Sequence, residues 1–135
     1  MKIRVTSKVN LNEDEIANKV AENLRELVFS VEADAKRFAP VNTGRLRNGI
    51  FVRENSRFNY DIVSPVEYSA HVEFGTSPHI IRAVNAEALS WIDKSGKRVF
   101  AKSVFHPGTN PKPFMRPSFD IARRKIELGF LYRGI

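Results

Sequence analysis

Ile16, Val20, Leu24, Leu27, Val31, Ala35 and Phe38 recur at steps of four and three, the spacing of one helical face. They predict an amphipathic helix from Glu13 to Phe38. Asn12 is placed to cap its first turn, with Glu15 three residues later as a capping-box partner, and Leu11 and Ile16 are placed as a hydrophobic staple. Glu13, Asp14 and Glu15 set negative charge at the positive end of the helix dipole, and Lys36 and Arg37 set positive charge at the other. Pro40 disfavours helical geometry at Ala39 and stops the element. Ahead of the helix, Lys2 to Val9 alternate weakly, as a strand or an arm would.

After the helix, Pro40-Val41-Asn42-Thr43-Gly44 is a turn-forming cluster. Leu46, Asn48, Ile50 and Val52 then alternate with Arg47, Gly49, Phe51 and Arg53, a strand pattern in which neither face is cleanly polar. Asn55-Ser56-Arg57 connects it to a second strand, Tyr60 to Ser64, so the pair reads as an antiparallel hairpin. Glu67 to Phe74 fits both periods: Tyr68, Ala70, Val72 and Phe74 alternate, yet Tyr68 and Val72 lie one helical turn apart. Gly75 ends the element under either reading.

A loop, Thr76 to Ala83, is expected to lead to a short helical piece over Asn85 to Leu89. Ser90 to Asp93 and Arg98 to Val104 flank Lys94-Ser95-Gly96-Lys97 as a second hairpin. Four prolines lie between Pro107 and Pro117, which makes that stretch extended and stiff. A final helix is expected to begin near Pro117, with Phe119, Ala122, Ile126 and Phe130 as its apolar face and Arg123, Arg124 and Lys125 as a basic one. Phe130 to Ile135 are apolar for a chain end, as residues resting on their own fold or on a neighbour would be. The expected class is α+β, with a long N-terminal helix packed on a small antiparallel sheet and a C-terminal helix, residues 1–135 forming one domain.

Composition narrows the picture without deciding it. A chain of 135 residues buries roughly two-thirds of its unfolded surface and needs no metal or disulfide to fold. With no cysteine there is no disulfide, thiol nucleophile or thiolate metal site. No stretch has the ~20 apolar residues of a membrane span, and Met1 to Val5 lack a signal-peptide core, which points to synthesis in a cytoplasm and to no membrane partner. The net charge of +7 is uneven: residues 1–34 hold five basic and seven acidic groups, residues 35–97 nine and six, and residues 98–135 eight and two. The basic end is suited to a nucleic acid or an acidic protein surface, or is a solvated face.

Candidate chemistry is thin. The chain has no phosphate loop, dinucleotide glycine pattern or nucleophile elbow. His71, His79 and His106 lack metal-ligand spacing. Glu73 near His71 and His79 imitates an acid/base pair but more readily makes a structural hydrogen bond. Arg45 and Arg47 follow the tight turn and could contact phosphate or merely decorate it, and Arg116, Arg123, Arg124 and Lys125 could form a phosphate-facing stripe. Few aromatics interleave with that stripe, which gives a base-stacking site little support.

Three strings are more specific. The first is Ala39-Pro40-Val41-Asn42-Thr43-Gly44-Arg45-Leu46-Arg47-Asn48-Gly49-Ile50. The second is Tyr68-Ser69-Ala70-His71-Val72-Glu73-Phe74-Gly75-Thr76, followed by Pro78-His79. The third is His106-Pro107-Gly108-Thr109 running into Pro113-Phe114-Met115-Arg116-Pro117. In this order, behind a long helix, they resemble the siphophage tail-component family typified by the gene ten product of phage HK-ninety-seven, over about residues 13–128. The departures are small: Ser69 and Ser118 stand where that family usually has alanine, and Arg82 where a proline often follows the histidine.

The resemblance implies a structural, non-enzymatic virion protein of the neck or proximal tail that needs no cofactor. It would form a ring with copies of itself, dock to other phage neck and tail proteins, and touch DNA only as DNA passes through the ring. Pro40, Thr43, Gly44, Leu46, Tyr68, Glu73, Gly75, Thr76, His106, Pro107, Gly108, Pro113 and Pro117 would then be structural motif residues. Phe114, Met115 and Arg116 in the stiff segment, with Phe130, Leu131 and Tyr132 at the end, are the expected interface, and closing the protein's own core is the other reading of Phe114.

Overall fold

The protein's architecture comes from a computed structural model that describes residues 1–7 and 14–135. The expected cap and staple residues Leu11, Asn12 and Glu13, and the end of the first strand at Val9, lie outside the described residues. The elements are β1 (Lys2–Thr6), α1 (Asp14–Phe38), α2 (Arg45–Gly49), β2 (Phe51–Ser56), β3 (Asn59–Val63), α3 (Ser69–Phe74), β4 (His79–Arg82), β5 (Leu89–Ile92), β6 (Arg98–Ala101), β7 (Ser103–His106) and α4 (Met115–Glu127), closed by a 3-10 turn at Phe130–Tyr132. The fold is α+β, with the long helix, small antiparallel sheets and a C-terminal helix. Among the described residues no helix is long and apolar enough to cross a membrane.

The main sheet has the order β1-β3-β2, antiparallel throughout, with Ile62 of central β3 opposite both Ile3 and Val52. Central position explains β3's burial: Tyr60, Asp61, Ile62 and Val63 are all inside. The Asn55 side chain, and after it the edge-strand cations Arg4, with Nε at 3.0 Å, and Lys2, with Nζ at 3.7 Å, hold the buried Asp61 carboxyl below the usual carboxylate range. α1 packs across this sheet and along α4. The predicted face is the buried one, with Val20, Leu24, Leu27, Val31 and Ala35 at 2% exposure or less. Val28 joins them, because the helix is covered on two sides rather than one. Ile16 and Phe38 are half-buried.

Four expectations are corrected. Leu46 to Gly49 are not strand: α2 occupies Arg45–Gly49, since Leu46 and Ile50 lie one helical turn apart and both bury at 3% or less. Thr76 to Ala83 is not all loop: β4 pairs with β7, His79 opposite His106, a partnership too distant in sequence for local pattern to reveal. No helix forms over Asn85 to Leu89; Asn85, Ala86 and Glu87 are exposed, and so short a helix needs packing to exist. The run Arg98 to Val104 divides at Lys102, β6 pairing with β5 and β7 with β4.

Helix α4 starts at Met115, two residues before Pro117, which sits in its first turn where its missing N–H costs nothing. Its apolar face buries Ala122 and half-buries Phe119, but Ile126 stays 42% exposed. The chain end rests on its own fold: buried Asn23 of α1 donates from Nδ2 to the carbonyls of Leu131 and Arg133 at 3.0 and 2.9 Å.

Leu24 lies at the centre of this packing at 1% exposure. Leu24→Ala should lower the unfolding free energy by about 2–5 kcal/mol in urea denaturation, the usual range for a buried leucine. A loss under ~0.5 kcal/mol, the surface value, would contradict the packing.

Candidate functional site

The three strings, up to about seventy residues apart in sequence, meet at one junction. The first makes the corner after α1. Gly44 takes φ +84°, and Thr43 Oγ1 accepts from Arg45 N–H at 3.4 Å, which turns the chain into α2. Arg47 Nε reaches back to the Lys36 carbonyl at 3.0 Å and satisfies an acceptor in the last turn of α1. Arg45 pairs with Glu67 at 3.0 Å and lies over the Tyr68 ring at 6.0 Å. Glu67's own backbone N–H, and after it the Arg45 charge, hold the Glu67 carboxyl below the usual carboxylate range.

The second and third strings clamp each other. α3 ends at Gly75, whose positive φ brings Thr76 alongside Thr109. Thr76 and Thr109 exchange both backbone hydrogen bonds, at 3.0 and 3.1 Å, and their hydroxyls meet at 3.1 Å. Lys112 N–H donates to the Val72 carbonyl at 2.8 Å. The fit leaves no room for side chains at either glycine: a Cβ on Gly75 would lie 2.5 Å from the Thr109 carbonyl oxygen, and one on Gly108 2.2 Å from that of Thr76.

Glu73 closes the junction. Its side chain is buried at 5% exposure. Oε2 accepts from the N–H groups of Phe114 and Met115 at 2.8 and 2.9 Å, and Oε1 from that of Arg116 at 2.9 Å. Those are the otherwise unpaired donors where α4 begins, at the positive end of its dipole. Glu73 thus makes the structural hydrogen bonds that its sequence context favoured over an acid/base pairing with His71 or His79. His79 and His106 stack instead on each other, 5.0 Å between ring centroids, and each bonds locally, His79 Nδ1 to the Ser77 carbonyl and His106 Nδ1 from the Gly108 N–H. Among the described residues no group of three or more potential ligands could hold a metal ion.

Around the clamp runs a groove in two adjoining parts of about 530 and 270 Å³, sharing Pro40, Tyr68, Val72 and Lys112. Its wall is apolar and its rim carries Arg45, His71 and Lys112. Among the described residues the groove brings no nucleophile to a base.

The remaining predicted residues fall in different places. Phe114 and Met115 are at 0% exposure, so the reading of Phe114 as a core residue is the one that describes it, and neither side chain has surface to offer a neighbour in this conformation. Arg116 and Tyr132 are exposed, and Phe130 and Leu131 are half-buried. Along α4, Arg116, Asp120, Arg123 and Glu127 follow one line at alternating sign, and Arg123 lies 3.5 Å from Glu127, so the basic stripe is interrupted by carboxylates. The two alanine-to-serine departures are satisfied internally: Ser69 Oγ bonds the Val66 carbonyl and Ser64 Oγ, and Ser118 Oγ the Met115 carbonyl.

Sequence reasoning found the outer hairpin of an arm, β5 with β6, and missed the inner ribbon, β4 with β7, that carries it. β4 with β7 and β5 with β6 form two ribbons in series, residues 79–106, and large apolar side chains lie open on them: Ile80 57%, Ile92 56%, Phe100 66% and Phe105 66% exposed. The alternation in Ile80 to Arg82 and Val99 to Phe105 was the available signal, but a short alternating run shows no partner.

A family model described as "Bacteriophage HK97-gp10, putative tail-component" matches residues 4–75, just over half of the chain. No curated protein and no solved structure matches it.

The junction separates two kinds of glycine. At Gly44 a Cβ meets only Asn48 Nδ2 at 3.4 Å, so Gly44→Ala should cost about 1 kcal/mol, the backbone term alone. Gly108→Ala adds a backbone collision and should cost on the order of 4 kcal/mol. Equal losses for the two variants in chemical denaturation would refute the clamp. Glu73→Gln, which turns a donor toward N–H groups that need acceptors, should cost roughly 2–4 kcal/mol by the same assay, and a neutral result would show that the carboxylate is dispensable.

Proposed function

The chain belongs to the HK97 gp10-like family of bacteriophage tail components, and from that premise we propose that it is a ring-forming adaptor of the virion neck or proximal tail. The family is a structural one, and this chain's contribution to the tail is structural. On our reading the protein is made in the host cytoplasm, assembles with copies of itself, and in the virion completes the tail or joins it to the head through other neck and tail proteins.

The observation that carries this reading is the use of the motif residues. Glu73, Gly75, Thr76, Gly108 and Thr109 all serve one junction, and Glu73, the one buried glutamate among the described residues, is committed to three backbone N–H groups. A part whose most specific residues fix a shape acts by fitting. Arg116, Phe130, Leu131 and Tyr132, together with the open arm, are the surfaces through which it fits its neighbours, while Phe114 and Met115 support them from the core. Contact with DNA is limited to passage through the ring, because the basic line on α4 is broken by Asp120 and Glu127.

A phage lacking this gene should accumulate heads and tails unjoined, or unstable tails, and the gene supplied in trans should restore infectious particles. Normal particles without it would end the proposal. The purified protein should bind short duplex DNA little at moderate salt. Tight binding that falls steeply as salt rises would favour a nucleic-acid-binding module instead.

A further inference from the structure

The arm of residues 79–106 is well specified locally and poorly supported globally. Its tip is a built turn: Asp93 Oδ1 accepts from Ser95 N–H, Ser95 Oγ and Lys97 N–H at 2.8, 2.6 and 3.0 Å, with Gly96 at φ +83°. Those bonds, the Ser95 hydroxyl first, hold the Asp93 carboxyl below its usual range. Yet each ribbon has only two strands, and the extensive contacts of each strand are with its own partner. An isolated two-stranded ribbon is marginal in water. On this one both faces carry apolar side chains: Ile80 and Phe105 are cross-strand partners on one ribbon, and Phe100 shares a face with Ile92 on the other. Open apolar surface of this kind, at the edge of a two-stranded sheet, marks a protein contact.

Charge identifies the occupant. Residues 79–106 hold five basic groups, Lys94, Lys97 and Arg98 clustered at the tip, against Glu87 and Asp93. The acidic surface of the same chain is the first half of α1. Glu15, Glu22 and Phe29 repeat every seven residues, which sets them on one line, with Glu26 beside it, and all four are exposed. Lys19 on the same face meets Glu22 at 3.4 Å and Arg133 meets Glu26 at 2.5 Å, exposed pairs of little strength that an incoming cation can replace. Phe29, at 45% exposure, supplies an apolar anchor on that line. One chain thus carries a basic apolar ribbon and an acidic apolar stripe in two separate places. Contacts between unlike patches of identical chains are head-to-tail, and a head-to-tail contact whose rotation closes gives a ring.

We propose that the ribbon arm of one copy docks on the Glu15–Phe29 stripe of α1 in the next copy. The inference rests on the ring reading above and names its contact. Salt-bridging sets the register, and burial of Phe100, Phe105 and Phe29 supplies the hold.

The test is sedimentation velocity of the full chain and of charge-reversed variants. The wild type should self-associate at low salt and dissociate as salt rises. Lys97→Glu with Arg98→Glu on the arm, and Glu22→Arg with Glu26→Arg on the helix, should each weaken association roughly tenfold or more. All four changes in one chain should restore it, which neither a misfolded arm nor a docking site elsewhere would allow. Phe105→Ser, read beside thermal melting of the monomer, should weaken association and leave melting unchanged. If the wild type assembles and the reversals do not disturb it, or the combined variant is not rescued, the arm contact is wrong and the ring stands. If the wild type stays monomeric at every concentration and low salt, both fall. Because the chain has no cysteine, the pair Lys97→Cys and Glu22→Cys gives a second readout: oxidation should yield a ladder of covalent multimers, and only monomer would count against the contact.

Discussion

A single carboxylate sits where three separate stretches of the chain must agree. Glu73 lies on α3, and the donors it satisfies lie about forty residues later, where α4 begins. A buried negative charge is costly unless it is fully bonded, and a helix start buried without acceptors is costly as well. Each feature removes the other's penalty. Once α3 and the start of α4 are joined, Phe114 and Met115 are carried into the core against α1, and the Thr76–Thr109 bridge follows from the same approach. Removing Glu73 would therefore loosen the corner, the clamp and the seat of α4 together.

The same junction divides the molecule into two regimes. On one side is a conventionally packed body, its core running from α1 through β3 to α4. On the other is the arm, which leaves the body beside the stacked pair His79 and His106 and, among the described residues, has no layer over either face. The clamp at Thr76 and Thr109 stands immediately before β4 and shortly after β7, so it fixes both roots of the arm. A rigid root under an uncovered ribbon suits a part that presents a fixed shape to a neighbour, since little freedom is lost on docking.

What was legible beforehand follows from the range of each interaction. α1 could be read nearly to the residue because its periodicity, its charge pattern and Pro40 are all local. The β2–β3 hairpin could be read because its strands are adjacent. Leu46 and Ile50 misled because a four-residue apolar spacing serves a strand face and a helix turn equally. The arm's outer hairpin was visible, but its inner ribbon joins residues more than twenty apart, and no local pattern encodes that. The three strings stood out as strings. That Glu73 meets Phe114, Met115 and Arg116 was not visible, because a carboxylate in sequence does not announce whether it will cap, catalyse or face water.

The central claim is that the motif residues build one stable junction, and amide hydrogen exchange at Phe114, Met115 and Arg116 tests it most directly. Amides in the first turn of a helix have no acceptor within it and ordinarily exchange fast. If Glu73 holds these three, they should exchange only through global unfolding, with protection equal to that of central β3 at Tyr60 to Ile62. Exchange at the rate of an open helix start, with β3 still protected, would contradict the account.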